Sequence, residues 1–184
     1  MTKLWKNVSM SWVFGLALGM SGLALGATGT GPYYATPSWN QQLPASTRFV
    51  VLSNWGSGNE TVLDRETGLV WEQSPSTSGF DWINASDHCV QLSKGGRKGW
   101  RLPAIQDLAS LIDPTQSNPA LPSGHPFSIV STSSGYWSAS NSARDANSAW
   151  LVYFTSVFDM GLDGKSTVFN LAWCVRGGPG VDPQ

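Results

Sequence analysis

Four cations fall within eight positions of the stretch SKGGRKGWRLPAIQDLASLIDP, residues 93–114: Lys94, Arg97, Lys98 and Arg101. A loop that presents them together can hold sulfate or phosphate groups, the arginines through two parallel N–H bonds. The run has a second reading, as the solvated loop ahead of a helix. Arg101, between Trp100 and Leu102, then pairs with a carboxylate inside the fold. Tryptophan is the other residue type that meets carbohydrate, by stacking its flat face on a sugar ring. Of the seven tryptophans between residues 55 and 173, Trp55 alone sits in a Gly/Ser/Asn loop, and the rest are expected in the core.

Catalysis calls for a nucleophile, a base or a metal cluster, and the sequence is poor in all three. His88 and His125 lie far apart, and neither HExxH nor paired-cysteine metal spacing occurs. No cofactor is expected and the chain reads as a non-enzyme. Oxygen ligands for calcium are sparse: Asp159 and Asp163 share the stretch DMGLDG, and Asp145 lies in another loop. Counted from Asp159, the twelfth position is Asn170, where an EF-hand loop needs glutamate.

Cys89 and Cys174 are the two cysteines. An even pair in an exported chain most simply forms one disulfide, whereas free thiols are the competing reading. The export expectation comes from residues 1–26: Lys3 and Lys6, an apolar glycine-rich run, then small residues at Ala24, Gly26 and Ala27. The run is short for a membrane span, so a cleaved signal peptide is expected over a retained anchor. Without Lys3 and Lys6 the balance is nine basic against twelve acidic residues. No overall positive field exists to hold nucleic acid, so any affinity for a polyanion must be local. Charged residues make up only 12% of the chain, which suits a loop-rich extracellular fold.

These residues need a frame. Residues 27–47 are rich in Gly, Pro, Ser and Thr and read as a linker or N-terminal arm. RFVVL (48–52) reads as a strand, and TVLD and LVWEQ as two strands joined by a turn through Arg65–Gly68. Trp82, Ala85, Cys89 and Leu92 repeat at helical spacing, with Ser78 or Asp81 as cap and Gly95 or Gly96 as stop. Cys89 then faces the core. A second helix is expected from Pro103, in its first turn, to Asp113, with Pro114 ending it. After a long loop over 115–135, YWSAS, AWLVYF and TVFNLAWCVRGG read as strands. AWLVYF is apolar on both faces, as in a strand covered on both sides. The fold class is α+β, two helices with mostly antiparallel short strands, over residues 48–180, followed by a short tail at 181–184.

VLDRETGLVWEQSPS, HCVQLSKGGRKGWRLPAIQDLASLIDPTQSNPALPSGHPF, YWSAS and WCVRGG together resemble the C-terminal domain family of the Legionella collagen-like adhesin. The match runs from about residue 48 to 180, with WRLPA here where the family has WRLPT, a departure at Ala104. The resemblance implies a C-type-lectin-like fold, related to the formylglycine-generating enzymes. It also implies a secreted, periplasmic or cell-surface location, a sulfated or other anionic polysaccharide as ligand, and trimer formation. The Glu-Pro-Asn, Gln-Pro-Asp and Trp-Asn-Asp calcium motifs of sugar-binding C-type lectins are absent, and so are collagen repeats. The expected function is noncatalytic binding of an anionic glycan through Lys94, Arg97, Lys98, Arg101 and Trp55. The alternatives are a homo-oligomerising or protein-binding module and, third, a small enzyme using a free Cys89.

Overall fold

The computed structural model describes residues 43–53, 58–155 and 159–178 of the 184-residue chain. The proposed signal peptide, most of the arm, Trp55 and the last residues lie outside this set. None of the helices among the described residues is long and apolar enough to cross a membrane.

Two sheets and three helices make up the described part, an α+β arrangement. A short helix α1 (Ala45–Arg48) leads into β1 (Phe49–Leu52), which pairs antiparallel with β2 (Thr61–Asp64). The turn through Arg65–Gly68 returns the chain as β3 (Val70–Glu72), with Gly68 at φ +71°, where a side chain would be strained. Helix α2 (Trp82–Gln91) follows, then β4 (Trp100–Arg101) and the short helix α3 (Ile105–Ala109). Strands β5 (Tyr136–Asn141), β6 (Ser148–Tyr153) and β7 (Asp159–Gly164) form an antiparallel meander. The closing strand β8 (Val175–Arg176) inserts between β3 and β4, giving the first sheet the order β1-β2-β3-β8-β4. The last strand therefore sits inside the sheet that the first strands began.

Two apolar clusters hold this together. In the first, Trp71, Tyr136, Phe127 and Phe154 meet the fully buried Trp173, with ring centroids 5.0–5.6 Å apart. Such tilted and edge-on aromatic pairs add about 0.5–1.5 kcal/mol each beyond the area they bury. The second gathers Ala85, Trp100, Leu102, Trp137 and Ala172 around Cys89 and Cys174. These cysteines form the expected disulfide, with Cα atoms 5.3 Å apart, tying α2 to the end of the chain. Strand β6 supplies both clusters, Val152 and Phe154 next to it entering the first, Ala149 and Leu151 the second, as its two-sided apolar pattern implied. Arg48 is wholly buried and donates to both carboxylate oxygens of Asp64 (2.9 and 2.7 Å) and to Ser110 O (2.8 Å). Its Nη1 is 3.2 Å from Glu66 Oε2, an ionic contact without hydrogen-bond geometry.

Both helices are shorter than their sequence patterns suggested. Asp81 caps α2, its Oδ1 accepting from Asn84 N–H at 2.8 Å, but the helix ends at Gln91, before either glycine. Pro103 lies ahead of the α3 N-cap, Ala104, rather than in the first turn, and α3 ends at Ala109. Two bonds of 3.1 Å to the carbonyls of Leu108 and Ala109 then carry the chain through tighter turns to Ile112. The stretch DMGLDG, weighed above only for its calcium ligands, is the edge strand β7. Gly161 makes this pairing fit: a Cβ there would stand 3.2 Å from Leu151 Cδ1 and 3.3 Å from Tyr153 Cε2. TVFNLAWCVRGG is strand only at β8, its earlier part making isolated bridges from Asn170 to Phe80 and from Leu171 to Tyr136.

Candidate functional site

The basic run divides into anchors and presented groups. Gly95 and Gly96, at φ +60° and +63°, form the turn of a miniature hairpin in which Lys94 and Arg97 exchange both backbone hydrogen bonds at 3.1 Å. Two left-handed residues between paired ends are the geometry that glycine pairs favour in the tightest hairpins. These glycines thus shape the loop instead of stopping α2. Trp100 Nε1 donates to Arg97 O at 3.0 Å, fastening the hairpin to the second cluster.

Lys94 faces inward: its Nζ is 3.0 Å from Oε1 of Glu72, a carboxylate only 3% exposed. The other oxygen of Glu72 accepts from Cys174 N–H at 2.9 Å, so one buried carboxylate joins the basic loop to the disulfide and the closing strand. Arg101 is likewise committed, with Nη1 2.8 Å from Asp107 Oδ2, and Nε and Nη2 donating to Gly177 O. The carboxylate partner considered for Arg101 is therefore Asp107, and Arg101 holds α3 and β8 together.

Arg97 and Lys98 are exposed, and their side chains make no hydrogen bond or ion pair with any described residue. Arg176 joins them, its Nε donating to Lys98 O at 2.9 Å. Lys94, Arg97 and Arg176 line one surface cleft of about 310 Å³, whose remaining wall is Leu52, Thr61, Val70, Gly95 and Trp100. Sequence reading missed Arg176, which lies 78 positions from Lys98 and reaches it only because β8 inserts beside β4. Trp55, the aromatic candidate, lies outside the described residues.

The other candidates resolve into structural roles. Burial pushes Asp163 up, but hydrogen bonds from Asn170, Thr167 and Gly164 outweigh it and hold the carboxyl below its usual range. Asp145, on the loop before β6, is lowered by the Ser148 hydroxyl and the Asn147 N–H that it accepts. Burial lowers His125, whose ring stacks near Phe127. Glu72, His88 and Cys174 bring possible metal-ligand atoms within 4.8 Å of one another. The Cys174 sulfur is bonded to Cys89, however, so it is neither a thiolate ligand nor a nucleophile in this structure.

The fold and this surface define a disulfide-closed α+β domain that presents a rigid basic hairpin. The sequence model of one family, described as the Lcl C-terminal domain, matches residues 60–176, and the chain belongs to that family. It is the family to which the motifs above pointed, a domain of a collagen-like adhesin, which suggests a noncatalytic role at an extracellular or surface location. No curated protein and no solved structure matched the chain.

Proposed function

We propose that this domain binds an anionic polysaccharide, sulfated or otherwise, without catalysis, through the basic surface of Arg97, Lys98 and Arg176. One observation carries the reading: two exposed cations with no described partner sit on a hairpin that is itself immobilised by Lys94, Gly95, Gly96 and Trp100. A solvated loop does not need such fastening. A preorganised one loses little side-chain and backbone freedom when it binds a charged polymer. The C-type-lectin-like character belongs to the same proposal, supported by the closure of first and last strands in one sheet and the disulfide from helix to chain end. Export of the chain after signal cleavage is part of it too, supported by the disulfide and the family.

The test is retention on immobilised heparin, with a neutral polysaccharide as control, for the wild type and the double variant Arg97→Glu/Lys98→Glu. Salt-sensitive retention lost in a variant of unchanged melting temperature is expected. Equal retention of both proteins, or none by the wild type, would return the hairpin to a solvated loop and favour a protein-assembly role.

A further inference from the structure

A second cleft, of about 390 Å³, lies between α2 and the segment around Val168. One wall is a stripe of α2: Asn84, Asp87, His88 and Gln91, at the i, i+3, i+4, i+7 spacing that aligns side chains on one helix face. Phe80 and Val168, the latter 53% exposed, form the apolar part of the facing wall.

Both walls are fixed. The disulfide at Cys89 secures α2, and Trp82 N–H donates to Lys165 O at 2.9 Å. Phe80 N–H donates to Asn170 O at 2.8 Å, while Asn170 Nδ2 donates to Asp163 at 2.8 Å. At Gly79 the chains approach so tightly that a Cβ there would lie 2.2 Å from Val168 O. The cleft is thus held open by structure on both sides, and its volume falls in the range of about 300–1,000 Å³ usual for small-molecule sites.

Its chemistry is two-faced. The side chains of Asp87 and Gln91 make no hydrogen bond to a described residue, and Asn84 engages only its Nδ2, on Asp81, leaving its carbonyl oxygen available. His88 lies against Phe80, the rings tilted by 33° with centroids 4.8 Å apart. Polar acceptors and donors therefore face an apolar wall, and Asp81 and Asp87 are the charged groups lining the cleft, with no lysine or arginine among them. A sulfate or phosphate is repelled here. A pyranose fits, its hydroxyl edge on the polar stripe and its C–H face on Phe80 and Val168, and an ammonium substituent gains a charge-assisted bond to Asp87. We infer that this cleft is a subsite for an amino sugar, distinct in chemistry from the basic cleft.

The experiment titrates the ¹⁵N-labelled protein with three β-1,4-linked disaccharides, of glucosamine, of N-acetylglucosamine and of glucose. They share one linkage and differ in the group at carbon 2. The glucosamine dimer is expected to shift the side-chain amides of Asn84 and Gln91 and to bind most tightly. Asp87→Asn is expected to weaken that dimer about tenfold, to the level of the glucose dimer, as loss of one charge-assisted hydrogen bond implies. Val168→Ser is expected to weaken all three. Both residues are exposed, so neither variant disturbs the core, and unchanged heparin retention by Asp87→Asn separates this cleft from the basic one. Absence of amide shifts with every sugar overturns the inference. So does equal binding of the three sugars, or glucosamine-dimer binding indifferent to Asp87→Asn.

Discussion

Removing Arg97 should change how heparin binding responds to salt, whereas removing Arg101 should not. Each cationic side chain seated on a polyanion releases bound counterions, so affinity falls with salt by a power of about 0.7–0.9 per contact, as established for nucleic acids. The basic surface offers three such side chains, Arg97, Lys98 and Arg176, since Lys94 and Arg101 already face Glu72 and Asp107. Three contacts give a log–log slope of about −2.1 to −2.7, so raising salt fourfold should weaken binding roughly 20- to 40-fold. Arg97→Ala should make the slope shallower by about one contact's worth, 0.7–0.9. Arg101→Ala should leave the slope unchanged while lowering thermal stability, because it breaks the ties to Asp107 and Gly177. The assay is the dissociation constant by surface plasmon resonance on heparin at four salt concentrations, with melts in parallel. A slope that drops on loss of Arg101 and is indifferent to Arg97 would refute the division into anchors and presented groups.

Other perturbations test the frame. Ala104 is the N-cap of α3 and offers no side-chain acceptor, although Asp107 Oδ2 already accepts its N–H at 3.0 Å. Ala104→Thr, restoring the family residue, completes the reciprocal cap and should stabilise the domain by about 1 kcal/mol in urea unfolding. Replacing Cys89 and Cys174 together by alanine opens a loop spanning 85 residues and should cost roughly 4–5 kcal/mol by the chain-entropy argument, read from the same unfolding curves. Burial raises the Tyr136 hydroxyl to about 12, against the opposing N–H of Ser131. A group raised above its unfolded value of about 10 contributes its stability below that pH and loses it as pH climbs through the folded value. Stability should therefore fall between about pH 10 and 12, by at most about 2–3 kcal/mol, and Tyr136→Phe should flatten that slope while costing the Ser131 bond at neutral pH.

What could be read along the chain was whatever depends on neighbours in sequence. Gly68 closes the β2–β3 turn because only local backbone angles are involved, and Asp81 caps α2 because it bonds an N–H three residues on. The apolar spacing that turned Ala85 and Cys89 inward is likewise a property of one helix. The extent of α3 was overestimated because an apolar stripe continues into Leu111 and Ile112, which are buried in turns rather than in helix. Strand β7 was invisible because two glycines and two aspartates carry no strand preference, and only the surface of β6 makes a chain without a Cβ at Gly161 the right one to lie there.

The candidate site shows the same boundary. Residue types and crowding by themselves located the basic run, offered Arg101 an internal carboxylate, and paired the two cysteines. Which cations remain available was decided by partners far away in sequence: Glu72 takes Lys94 across 22 positions, and Arg176 reaches Lys98 across 78. Charge in a sequence is a count, but a cation becomes a binding group only where folding leaves it without an internal anion. That outcome depends on which strands adjoin, and here it is set by β8 closing the sheet between β3 and β4.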